Sequence, residues 1–201
     1  KTAVPRQISV GPQRAEPAGN SYAKLAIGLG HALFVGYCVF ALVYYRERVL
    51  YDTSLFLTTG PLLEGTFFRA LDRVTVQIPP QILPLLVVRL GGTSALAAMA
   101  YSLNFAVFHY VFWMLFVHGY RRRDLGLAYI ACILIHLVHN NIFIQADLMH
   151  AASYLIAFIA AAQSHPASPI ARRIIRPASM MIFAFAGCLG HPLMAPLLAF
   201  F

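Results

Sequence analysis

Residues 46–92 read RERVLYDTSLFLTTGPLLEGTFFRALDRVTVQIPPQILPLLVVRLGG, and the reading of this stretch decides the fold. It holds four of the chain's seven carboxylates, Glu47, Asp52, Glu64 and Asp72, interleaved with Arg46, Arg48, Arg69, Arg73 and Arg89. Its apolar pieces, Leu50 to Leu57 and Ile82 to Leu90, are too short to cross a bilayer and too apolar to lie free in water. They read as interfacial or re-entrant helices, and a long apolar run lies on either side of them. The expected fold is therefore all-α: an integral membrane bundle in which 46–92 is an outer segment between two transmembrane helices.

Composition agrees. With 60% hydrophobic and 11% charged residues and a mean hydropathy of +0.70, the chain lies outside the range of soluble domains. Its net charge of +8 does not point to nucleic acid, because the basic residues form short clusters beside apolar runs, not one continuous patch. They read as topology signals. Cys38, Cys132 and Cys188 lie in apolar runs without paired spacing, so neither a disulfide framework nor a zinc ribbon is expected. The chain opens KTAVPRQ without Met, and the first apolar run exceeds a signal-peptide core, so the natural N-terminus is expected upstream.

Working outward, residues 1–22 read as a disordered or surface-bound tail and 23–201 as a single transmembrane domain. Five spans are expected: Leu25 to Tyr45, Thr93 to Val117, Gly126 to Ile144, Leu148 to Ala162, and Ala178 to Phe201, the last interrupted by Pro192 and Pro196. The fourth is short, roughly 22 Å as a helix, and is expected to borrow residues from the Gln145–Asp147 turn or to be re-entrant. Residues 163–177, QSHPASPIARRIIRP, read as a proline-rich basic loop. A cytoplasmic N-terminus puts Lys1, Arg6, Arg14, Lys24, Arg121 to Arg123, Arg172, Arg173 and Arg176 inside, ten of the fifteen Lys and Arg residues, as the positive-inside rule requires. The other five belong to the outer segment, where four carboxylates offset them.

Eight histidines are many for such a chain, and His31, His109, His136, His139 and His191 fall inside apolar runs. Polar groups at that depth face a bundle interior or a cavity. His136 and Asn140 lie four apart on one helix face, the spacing of two ligands or of a ligand and its orienter. Hydrogen bonding between packed spans is the preferred reading of them.

Two families resemble parts of the chain. Glu64-Gly-Thr-Phe-Phe-Arg69, Phe105-Ala-Val-Phe-His109 and His136-Leu-Val-His-Asn140 resemble, in order, the motifs of the CAAX-type intramembrane proteases, which implies Glu64, His109, His136 and Asn140 as one site around an activated water. A broader likeness runs from about residue 35 to the end. It is carried by Tyr44-Tyr-Arg-Glu-Arg through Asp52, Leu71-Asp-Arg, Pro80-Gln-Ile-Leu-Pro-Leu-Leu-Val-Val-Arg-Leu-Gly, Tyr101-Ser-Leu-Asn-Phe and Gly190-His-Pro. These strings are similar to those of a family of bacterial polytopic membrane proteins that in turn look like the GT-C glycosyltransferases. The resemblance implies a bacterial inner-membrane protein, the front part of an enzyme that draws sugar from a polyprenyl-phosphate donor. In that class an acidic residue just past the first span acts as base or as ligand to a divalent cation, and Asp52 occupies that place.

Three functions of different class thus stand open: a GT-C-like sugar transferase, an intramembrane protease, and a non-catalytic subunit of a larger membrane complex. For the first, Asp52, Glu64 and Asp72 are the candidate catalytic carboxylates, and Arg46, Arg48, Arg69 and Arg73 the candidate phosphate- or lipid-binding cations, since guanidinium groups grip phosphate oxygens two at a time. The same acids and arginines also read as interfacial ion pairs that hold the segment to lipid headgroups. Membrane lipids are expected partners throughout.

Overall fold

The computed structural model describes residues 19–48, 57–67, 74–139, 146–164, 168–191 and 194–198. All regular structure among them is helical. Three helical stretches, Lys24–Val43, Ser94–Gly119 and Ala171–Gly190, are long and apolar enough to cross a membrane.

Helix α1, Gly19–Val43, is almost uniformly apolar, so the alternation of its environments rests on size and packing. Phe34, Tyr37 and Ala41 are buried along one face, while Leu25, Leu29, Val35, Val39 and Val43 stay more than half exposed. In water such a face would be an aggregation site, whereas in a bilayer it meets acyl chains at no cost. A one-turn helix α2, Tyr45–Arg48, follows. Thr58–Glu64 forms a widened π-type turn that Gly65 closes in the left-handed conformation at φ 62°.

Helix α3, Val74–Arg89, carries three internal prolines, Pro79, Pro80 and Pro84. Each proline removes the N–H that would bond the carbonyl four residues back, a loss that must be repaired inside a membrane. The repair is visible. The Thr75 carbonyl, left without its donor by Pro79, accepts the Tyr154 hydroxyl at 3.0 Å, while the Asn104 side-chain amide donates to the Pro79 carbonyl and ties this helix to the next. The Thr75 hydroxyl in turn donates to the Ala186 carbonyl at 2.6 Å. The interfacial piece expected at Ile82 to Leu90 is thus the second half of a longer helix, whose Val76, Gln77, Gln81 and Leu85 are buried against the bundle.

Helix α4, Ser94–Met114, begins where Thr93 accepts the Leu96 N–H on its side-chain oxygen at 3.2 Å, a standard N-cap. It packs against α1, α3 and the later helices α5, Arg123–His139, and α6, Ala146–Gln163, and is the most enclosed of the long apolar helices. A π-type turn, Leu115–Gly119, ends it, and Arg121 then takes a left-handed φ of 56°. Helix α6 starts at Ala146 and so borrows from the turn, as its short apolar run requires. Gly30 makes room for Trp113 and Gly126 for Val117: a Cβ at Gly30 would lie 2.2 Å from the indole, and one at Gly126 2.5 Å from the Val117 side chain.

The last long helix begins earlier than the expected loop allows. Ser168 accepts the Ala171 N–H at 3.4 Å, and a π-type turn Ala171–Ile175 runs straight into α7, Arg176–Gly190. Pro177 follows directly on the π-type turn inside this continuous helical stretch, so a residue that read as loop lies in helix. A short α8, Met194–Leu198, follows.

Side-chain contacts fix which loops share an end of the bundle. Arg122 bonds the Gln163 side chain and Arg176 the Ala162 carbonyl, so 121–124 and the 168–176 cluster lie together. His31, at the middle of α1, meets Tyr110, Trp113 and His118 toward that same end.

Candidate functional site

One face of α4 presents Ser102, Phe105 and His109 at three- and four-residue steps, and two buried polar centres are built on it.

The first is Arg48. One turn beyond α1, its guanidinium is 1% exposed, donates from Nε to the Ser102 hydroxyl at 2.8 Å and from Nη2 to the Tyr37 hydroxyl at 3.1 Å. Ser102 passes its own proton to the Ala41 carbonyl at 2.7 Å. The rings of Tyr37, Phe40 and Phe105 surround the charge at 5.0, 5.5 and 6.0 Å from their centroids, within cation–π range. No carboxylate pairs with Arg48 among the described residues, and its Nη1 is buried without a hydrogen-bond partner there. Among the described residues the site is a fixed positive charge without a paired carboxylate, at the point where the acid-bearing segment leaves the first long helix.

Phe105 connects this centre to the second, because its ring also packs on His109 and His150 at 4.6 and 4.9 Å. His109 on α4, Tyr129 on α5 and Ser153 on α6 form a chain: His109 Nδ1 lies 2.5 Å from the Tyr129 hydroxyl, which lies 2.7 Å from Ser153 Oγ. Ser153 donates its only proton to the Met149 carbonyl at 2.8 Å. Tyr129 then donates to Ser153, and the His109 ring proton sits on Nδ1 and donates to Tyr129, an assignment made by proton counting over the network. His150 stacks obliquely on His109 at 5.2 Å. Three helices are thereby tied through one buried hydroxyl.

The expected site residues divide. Arg48 and His109 are buried in these centres. Arg46 is exposed and donates to its neighbour Tyr45 at 3.0 Å. Glu64 is exposed and accepts the Thr66 hydroxyl at 3.4 Å, so it and His109 are not hydrogen-bonded to each other. Asp52, Arg69, Asp72, Arg73 and Asn140 lie outside the described residues, as does the side chain of His136. No group of three or more His, Cys, Asp and Glu among the described residues is placed to hold a metal ion. Tyr37, Ser102, Tyr129, His150 and Ser153 escaped the reading of the sequence. The available signal was spacing: Ser102 and His109 on α4, and His150 and Ser153 on α6, each share one helix face.

No family model, no curated protein and no solved structure matches this chain.

Proposed function

We propose that this membrane protein crosses the bacterial inner membrane five times with its N-terminus in the cytoplasm, and that it is the front part of a GT-C-like glycosyltransferase supplied by a polyprenyl-phosphate sugar. The observation that carries the reading is the buried Arg48 guanidinium, which pairs with no carboxylate among the described residues. A charge held at such depth is costly unless an anion repays it, and Asp52 follows only four residues later in the sequence. A fixed cation there serves an outer site that must hold a phosphate-bearing donor at membrane level, with Arg46, Arg69 and Arg73 adding positive charge.

In the proposed reaction the acceptor hydroxyl gives its proton to the Asp52 carboxylate as its oxygen bonds the sugar's anomeric carbon. The bond from that carbon to the donor phosphate breaks, and the phosphate leaves with the electron pair. An alcohol is a weak nucleophile at neutral pH, so removing the base costs roughly a hundredfold or more in rate. Glu64 and Asp72 are the next candidates. The test is transfer from a radiolabelled polyprenyl-phosphate sugar by membranes carrying the full-length protein. The expected result is transfer by the wild type and at least a hundredfold loss in Asp52→Asn at equal protein yield. Wild-type transfer by that variant removes Asp52 from the mechanism, and absence of transfer by the wild type leaves the reading of a non-catalytic complex subunit.

A further inference from the structure

At the end of the bundle that gathers 118–124 and 168–176, a cleft of about 610 Å³ is lined by Val117, His118, Arg121, Arg123 and Asp124. The three consecutive arginines beside it do not behave alike. Arg122 turns away: it grips Asp124 with two bonds, Nε to Oδ1 at 2.9 Å and Nη2 to Oδ2 at 2.5 Å, and bonds Gln163 on α6. That hydrogen bond, before any other cause, holds the Asp124 carboxyl down to about 2, so the pair is internally neutral at physiological pH. Arg121 and Arg123 are exposed, and their side chains have no hydrogen-bond or ion-pair partner among the described residues. The cleft therefore keeps two unspent guanidinium forks beside an imidazole.

We infer that this cleft binds a phosphate group, carried by an anionic lipid headgroup or present as free phosphate. Two planar forks with parallel N–H donors match phosphate oxygens better than a single carboxylate, and the Asp124 charge, already consumed by Arg122, does not cancel them. The volume lies in the range of ligand pockets and exceeds what an isolated ion fills. The position suits a headgroup, because the cleft opens at the end of a helix long and apolar enough to span, where phospholipid phosphates lie. His118 carries the wall back to Trp113 and His31, with ring centroids 6.4 and 6.0 Å away. The inference is independent of glycosyl transfer.

Trp113 is the chain's single tryptophan and stands beside the cleft, which supplies the readout. Energy transfer from Trp113 to a dansyl-labelled anionic phospholipid is measured on the full chain in zwitterionic detergent and competed with unlabelled phosphatidylglycerol, phosphatidylcholine or inorganic phosphate. The expected result is displacement by phosphatidylglycerol and not by phosphatidylcholine, with affinity at least fivefold weaker in R121Q/R123Q, recovered in part by R121K/R123K, and unchanged in R172Q/R173Q. If R121Q/R123Q does not fold, R123Q alone is expected to lose at least threefold. Displacement by millimolar inorganic phosphate identifies free phosphate as a sufficient ligand, and its failure identifies the lipid headgroup. Equal affinity of R121Q/R123Q and wild type overturns the inference, as does an equal loss in R172Q/R173Q, which would mark a diffuse basic surface.

Discussion

A guanidinium at 1% exposure can be held inside a hydrophobic bundle only if its donors and its charge are both met. Arg48 meets the first in part, Nε through Ser102 and Nη2 through Tyr37, and part of the second through three ring faces. Truncating it removes two charge-assisted bonds and the packing of its stem. Arg48→Ala is expected to cost about 2–4 kcal/mol, read as a fall in thermal midpoint in detergent, while Arg46→Ala, on an exposed side chain, stays within about 0.5 kcal/mol. Equal effects would show that Arg48 is not a buried tie. The second centre gives a finer test. Tyr129→Phe deletes the hydroxyl shared by His109 and Ser153, and the expected loss is about 1 kcal/mol, the usual size for a bond between membrane helices. A double-mutant cycle with Ser153→Ala should show coupling of at least about 0.5 kcal/mol, and strict additivity would mean that the hydroxyl chain is not formed.

At the scale of elements, the helices are spaced by small residues and stitched by polar ones, because the hydrophobic effect does not drive one apolar helix onto another in lipid. Gly30 is the sharpest case. A methyl group there would lie 2.2 Å from the Trp113 indole, so Gly30→Ala must either push α1 off α4 or turn the indole out of its slot. The expected cost is about 1–3 kcal/mol, the range for overpacking, with a shift in Trp113 emission, whereas Gly28→Ala, with nothing within 4 Å of the added carbon, is neutral or stabilising. Matching behaviour of the two variants would refute the packing. Such elements were legible in the sequence wherever length and apolarity decide: the first span, and the second with its Thr93 boundary, follow directly from hydropathy. Proline was the misleading signal. It argues locally for breaks, and nothing local shows that Tyr154 satisfies the Thr75 carbonyl or that helix runs through 171–177. The polar centres were only half legible for a related reason. His109 stood out as a costly residue in an apolar run, but its partners Tyr129 and Ser153 are ordinary residues that only tertiary packing brings together.

For the whole molecule, the decisive property is which loops share a side. The proposed topology, read from the basic residues, puts 1–22, 118–125 and 163–177 on the cytoplasmic side and 46–92 outside. The side-chain contacts supply an independent argument for the grouping, because Arg122 reaches Gln163, Arg176 reaches the Ala162 carbonyl, and His31 reaches His118. Those contacts form only if 118–124 and 163–176 sit at one end of the bundle, with the middle of α1 toward it. Arg48 engages Ser102 in the first half of α4, away from the Arg121–Arg123 turn that follows it. Loops at one end share a compartment, so labelling must sort them together. With Cys38, Cys132 and Cys188 replaced by alanine, a cysteine at Ser54 is expected to react with a membrane-impermeant maleimide in intact cells. A cysteine at Ser168, exposed in the structure, is expected to react only after permeabilisation, and one at Arg123 should follow Ser168. Equal labelling of Ser54 and Ser168 in sealed cells would defeat the topology. Opposite behaviour of Arg123 and Ser168 would defeat the packing, since their neighbours Arg122 and Gln163 could not then be in contact.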